Sequence, residues 1–140
     1  MPGSNLIAAV VRPAPLLRLA SGALFVVMVA ALFYASARPA GLPFMQAPWD
    51  KLMHFGYYAA LTVLLIVAAG GRGALIAVIV VVAVGAADEL YQSTVPQRQA
   101  DWLDWVADIV GALVAAAGFV RLGRMERLPN HPPPLGRTPP

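Results

Sequence analysis

Cysteine is absent from the 140 residues. That excludes a disulfide framework, a thiol nucleophile and a cysteine-ligated metal. Charge is scarce as well, at 12% of the chain against 59% hydrophobic residues. Leu19 to Ala37 and Gly73 to Ala87 contain no charged residue at all. A soluble domain of this length keeps a charged surface around its core, and this chain has too few charges to cover one. Lysine occurs once among the ten cations. No basic stripe interleaved with aromatics exists, so nucleic acid is not an expected partner.

What is present is apolar length. Crossing a bilayer takes roughly 20 apolar residues. Four segments qualify: about Leu16 to Ser36, Leu52 to Ala69, Gly73 to Tyr91 and Leu103 to Leu122. Lipid-exposed backbone must satisfy its hydrogen bonds within the segment, so the spans are helices. The expected fold is all-α, a small polytopic membrane bundle of four transmembrane helices contacting the lipid bilayer. Gly70-Gly71-Arg72-Gly73 predicts a tight turn that makes spans two and three an antiparallel hairpin. Residues 1–15 read as a cytoplasmic N-terminal segment, 16–122 as the membrane domain and 123–140 as a disordered proline-rich tail. Span one, with Ala35-Ser36-Ala37 at its end, also has the outline of a signal peptide. Its long leading region and its apolar length favour retention as a membrane helix.

Cation distribution sets the expected orientation. With four spans, Arg12, Arg18, Arg72, Arg121, Arg124, Arg127 and Arg137 share one side, and Arg38, Lys51 and Arg98 the other. The positive-inside rule then places both termini in the cytoplasm. Six of the seven acidic residues, all except Glu126, fall on the outer side. Ionisable residues in membrane helices are costly and mark cavities, partners or ions, so these six direct attention to the outer ends of spans two, three and four.

At the start of span two, Asp50 and His54 share a helix face, with Lys51 beside them and Tyr57 and Tyr58 a turn deeper. Helix capping and interfacial tyrosines are the plainer explanation of this group. At the end of span three, Asp88, Glu89 and Gln92 form a polar patch. Carboxylates there oppose the helix dipole and need compensation from Arg98, Lys51, a metal ion or a proton. Arg98 suits either a bidentate pair with Glu89 or Asp101 or the clamping of an anionic ligand. In span four, Asp101, Asp104 and Asp108 make one stripe. Asp101 is a plausible N-cap with Asp104 at N3, an approximate capping box. Asp108 lies two turns in, where capping does not explain it. Gly111 and Gly118 read as close-packing positions, and Trp49, Trp102 and Trp105 as an outer aromatic belt.

These residues resemble a known pattern. Asp50-Lys51, His54-Phe55 and Tyr58 opening one membrane helix resemble the first motif of the VanZ-like membrane protein family. Glu89 with Gln92, Pro96 with Arg98, and Asp101, Asp104, Asp108 and Gly111 resemble its second. The likeness covers roughly Ala37 to Gly118. Asp108 stands where that family usually has asparagine, which adds a carboxylate at depth. The resemblance implies a bacterial cytoplasmic membrane protein of the cell envelope, related to resistance to the glycopeptide antibiotic teicoplanin. It implies setting better than reaction.

Three readings follow for the polar cluster. One is a protein that binds or modifies a cell-envelope or lipid-linked ligand, such as a glycopeptide or a lipid headgroup, with Lys51, Asp88, Gln92, Arg98, Asp101, Asp104 and Asp108 as ligand-binding candidates. Another is an envelope enzyme with Glu89, His54 and Asp50 as catalytic candidates: either His54 with Glu89, Asp101, Asp104 and Asp108 binds a divalent metal, or Glu89 or Asp50 acts as general base while Arg98 and Lys51 hold a phosphate. The last is a purely structural polar network locking a small bundle.

Overall fold

The computed structural model of the protein describes residues 2–38, 49–98 and 100–126, with side chains from Ile7 onward. The expected loop after Arg38 and the tail from Arg127 lie outside the described residues. Five helices are present: α1 (Pro2–Val11), α2 (Pro15–Ser36), α3 (Trp49–Ala68), α4 (Ala74–Gln92) and α5 (Trp102–Glu126). The last four are long and apolar enough to cross a membrane, and they match the four expected spans. Two differences emerge. The N-terminal segment contains the helix α1, and α5 continues past Leu122 through the first residues assigned to the tail.

Local sequence explains the breaks. Pro15 occupies the first turn of α2, where its missing N–H costs nothing. Gly70, Gly71 and Gly73 all adopt positive φ, which only glycine takes without strain, and this turns α3 back into α4. A side chain at Gly71 would collide with the Val11 carbonyl, so the end of α1 is seated directly on the hairpin turn.

The bundle is arranged around α3, which packs against α2, α4 and α5. Buried Tyr58, Leu61, Val81 and Ala112 form one apolar layer between α3, α4 and α5. Ile66, Val67, Ala77, Ala116 and Phe119 form a second, nearer the hairpin turn. The outward faces are apolar as well, with Leu19 and Val26 on α2, Leu75 and Ile76 on α4, and Leu113 and Val114 on α5 exposed. Meanwhile Ser36, Thr62, Asp88, Glu89, Gln92 and Asp108 are buried. Apolar outside and polar inside is the arrangement that hydrocarbon rather than water imposes.

Contacts along the chain fix direction. Asp101 and Asp104 lie beside Lys51, Asp108 beside His54, and Gly111 beside Phe55. Positions therefore advance together, and α3 and α5 run parallel. Gly111 allows this approach, because a methyl group there would strike the Phe55 carbonyl. Gly118, expected to play the same part, has nothing among the described residues within 4 Å of an added Cβ. Gly111→Ala is therefore expected to lower stability by about 1–3 kcal/mol, read as a lower thermal midpoint in detergent. Gly118→Ala is expected to leave the midpoint unchanged or raise it. Equal effects of the two substitutions would contradict the close α3–α5 contact.

Candidate functional site

One end of the bundle gathers the last turn of α2, the first turns of α3 and α5 and the last turns of α4. The N-termini of α3 and α5 bring the positive ends of two helix dipoles there, which favours carboxylates. Asp50 and Asp104 sit in those first turns. Asp101 caps α5, its Oδ1 accepting from the Leu103 N–H at 2.9 Å. In a full capping box, Asp104 would reach back to the Asp101 N–H. Here Glu89 of α4 takes that N–H instead, through Oε2 at 2.8 Å. Asp104 is thereby left to turn inward.

Lys51 is the cationic hub. Its Nζ donates to Asp50 Oδ2 at 3.1 Å, Asp101 Oδ2 at 2.5 Å and Asp104 Oδ1 at 2.6 Å. The Lys51 hydrogen bond, with the Leu103 N–H, holds the Asp101 carboxyl below the usual carboxylate range. One ammonium thus joins the start of α3 to the start of α5.

A turn deeper, His54 and Asp108 pair across the same two helices. With its proton on Nδ1, His54 donates to Asp108 Oδ1 at 2.9 Å. Asp108 is fully buried, and its Oδ2 has no hydrogen-bond partner among the described residues. Gly85 of α4 makes room for it: a Cβ there would lie 2.7 Å from Asp108 Oδ2 and 3.1 Å from the Tyr58 ring. Tyr58 lies nearly parallel to the His54 ring, with centroids 6.1 Å apart. The other imidazole nitrogen, Nε2, points toward Asp104 Oδ2 at 3.9 Å. Glu89 completes this group: single ligand atoms of His54, Glu89 and Asp104 all lie within 4.8 Å of one another. Glu89 is 9% exposed, and its Oε1 is buried without a partner among the described residues.

Asp88 belongs to a separate arrangement. Ser36 Oγ donates to its Oδ1 at 2.6 Å and Gln92 Nε2 to its Oδ2 at 2.9 Å. Both oxygens are satisfied, so this trio ties α2 to α4 and is structurally complete.

Of the candidate residues, Asp50, Lys51, His54, Glu89, Asp101, Asp104 and Asp108 thus form one connected cluster, and Asp88 with Gln92 a second pair beside Ser36. Arg98 pairs with neither Glu89 nor Asp101; its Nε is buried without a partner among the described residues. Two expectations require correction. Tyr58 is fully buried and so is not an interfacial residue. Trp49 and Trp102 are exposed as a belt would require, but the half-buried Trp105 donates its Nε1–H to the Val82 carbonyl of α4 at 3.2 Å. Ser36 and Gly85 were not legible as site residues. Ser36 sits in a small-residue stretch that also fits a cleavage site, and Gly85 in an unbroken apolar run.

An open groove of about 420 Å³ between α4 and α5 reaches the cluster from the side, lined by Ala86, Glu89, Leu90, Ser93, Trp102 and Trp105. It offers an apolar floor and aromatic walls with one carboxylate, a composition suited to an amphipathic ligand.

A family model, VanZ/LLP1, matches residues 14–123, which take in all of α2 to α4 and most of α5. Neither a curated protein nor a solved structure matches the chain.

Removing the Ser36 hydroxyl leaves Asp88 Oδ1 buried without its donor, a loss of about 1–3 kcal/mol. Ser36→Ala is therefore expected to lower the thermal midpoint, and Ser36→Thr, which keeps a hydroxyl, to recover most of the loss. A midpoint unmoved by Ser36→Ala would show that α2 is not held to α4 in this way.

Proposed function

The chain belongs to the VanZ/LLP1 family, and on that premise we propose that this multi-pass membrane protein binds or modifies a cell-envelope or lipid-linked ligand at its acidic end. The observation that carries the reading is Glu89. Its Oε1 is buried without a partner among the described residues, yet the side chain lines an open groove between α4 and α5. A purely structural network closes on itself, as Asp88 does with Ser36 and Gln92. Glu89 does not close, and an unsatisfied buried carboxylate oxygen is costly unless something binds to it.

The acidic end faces outward in this reading. The opposite end gathers Arg12, Arg18 and Arg124, with Arg12 paired to Glu126 at 3.4 Å and Arg18 donating to the Ala68 carbonyl. The positive-inside rule places that end and both termini in the cytoplasm of a bacterial cell. A ligand arriving from the outer leaflet would slide its apolar part along Leu90, Trp102 and Trp105 and present its polar head to Glu89. The family resemblance makes a lipid-linked envelope precursor or a glycopeptide the leading ligand class, and links the protein to teicoplanin susceptibility.

A second reading, chemical modification of that ligand, draws support from His54. Its Nδ1 is fixed by Asp108, which leaves Nε2, 3.9 Å from Asp104 Oδ2 and in a group with Glu89, as a base or acid.

Two outcomes test the proposal. A reporter fused after Val95 is expected to behave as extracytoplasmic; a cytoplasmic signal there reverses the orientation. In a bacterial host whose teicoplanin susceptibility depends on this chain, Glu89→Gln is expected to accumulate in the membrane at the level of the unaltered protein and to abolish the effect. Full retention of the effect in a variant that accumulates normally removes Glu89 from the function.

A further inference from the structure

We infer that His54, Glu89 and Asp104 form a binding site for a single divalent transition cation of the zinc type, with Asp108 orienting the imidazole from behind. The inference rests on reading this cluster as a ligand site and names what the cluster itself holds.

Two groups of three potential metal ligands occur among the described residues: Asp50, Asp101 and Asp104, and His54, Glu89 and Asp104. The first already has its cation. Lys51 Nζ contacts all three carboxylates, so the ammonium stands where a metal would. In the second, among the described residues, only Asp104 meets a cation, through the oxygen it gives to Lys51. Asp104 is shared, and its two oxygens divide the work, Oδ1 meeting Lys51 and Oδ2 facing His54 Nε2.

Three features of this second group point to a metal. The first is the imidazole. A histidine that ligates a metal through one nitrogen gives its other N–H to a carboxylate or carbonyl, which fixes the tautomer and aims the lone pair. With its proton on Nδ1, His54 does this with a fully buried Asp108 at 2.9 Å, which leaves Nε2, 3.9 Å from Asp104 Oδ2, for a metal. The second is Glu89, nine-tenths buried, with one oxygen already committed to the Asp101 N–H and the other unpartnered among the described residues. The third is charge. Glu89, Asp104 and Asp108 surround one imidazole, and the ammonium of Lys51 is shared among Asp50, Asp101 and Asp104, so a bound dication offsets an excess of negative charge.

Ligand chemistry selects the class of ion. Calcium and magnesium take oxygen ligands, whereas imidazole with carboxylates suits zinc and its neighbours. Ligand atoms around a tetrahedral zinc stand about 3.4 Å apart, given metal–ligand bonds near 2.1 Å. His54 Nε2 and Asp104 Oδ2 are 3.9 Å apart, and one ligand atom from each of the three residues lies within 4.8 Å of the others, a spread of the order that small side-chain rotations close. Three protein ligands leave a fourth position for water or a ligand oxygen, and one of the three, Glu89, lines the groove.

The full chain, purified in detergent, is loaded with zinc, separated from free metal and assayed for zinc content. One zinc per chain is expected for the unaltered protein and for His131→Ala, which removes the other histidine of the sequence. His54→Ala and Glu89→Gln are expected to lose it, and Asp108→Asn to bind about 10–100-fold more weakly. Zinc retained equally by all variants, or bound by none of the proteins, overturns the inference. Should a site variant fail to fold, His131→Ala with nitrogen-labelled histidine gives the same answer. Zinc must shift the Nε2 resonance of His54 with Nδ1 remaining protonated; unchanged resonances overturn the site. Failure of the two readings is separable. If no zinc binds while Glu89→Gln still abolishes the envelope effect, the metal site is overturned and the ligand site stands. If zinc binds through His54 while Glu89→Gln keeps the envelope effect, the metal site stands and the ligand reading falls.

Discussion

A single ammonium, Lys51, holding Asp50, Asp101 and Asp104 together is the contact on which the acidic end depends. It fastens the first turn of α3 to the first turn of α5 and thereby sets the parallel register of the two helices. From that register everything deeper follows. Asp108 comes level with His54, Gly111 comes level with Phe55, and Gly85 of α4 supplies the space in which the Asp108 carboxylate sits. Without a cation at the mouth, three carboxylates would face one another across a helix interface, and the two helix dipoles alone offer only fractional compensation.

The bundle solves the polar-group problem differently at each depth. At the mouth, charges pair with charge. Between α2 and α4, Asp88 is satisfied by neutral donors from Ser36 and Gln92. Between α3, α4 and α5 the solution is left open, with Glu89 Oε1, Asp108 Oδ2 and the Tyr58 hydroxyl all buried without partners among the described residues. That open layer adjoins the groove between α4 and α5. A membrane protein that needed only rigidity would place apolar residues there, because buried ionic groups seldom add net stability over well-packed hydrocarbon.

Much of this was legible in the sequence. Uncharged runs fixed the four spans, the glycines at 70, 71 and 73 fixed the hairpin, and cation counting grouped the acidic residues at one end. Helical spacing alone identified Asp108 as unexplained by capping, and it is the most deeply buried of the acids in the open cluster. Sequence periodicity failed where a role depends on a second helix. Asp88 and Glu89 are adjacent and chemically alike, yet one is saturated and the other is not, because Ser36 and Gln92 lie on one side and Asp101 on the other. Gly111 and Gly118 are equally small, yet only Gly111 meets a neighbouring backbone. Trp105 and Tyr58 look like interfacial aromatics in one dimension and are turned inward by the partners they meet in three.

The central claim is that the open layer around Glu89 holds something other than the protein itself. Native mass spectrometry of the full chain, released gently from the membrane in which it was made, tests this directly. The account predicts a bound species, metal ion or amphipathic molecule, that is carried by the unaltered chain and absent from Glu89→Gln. Bare chains of the expected mass from both proteins would contradict it.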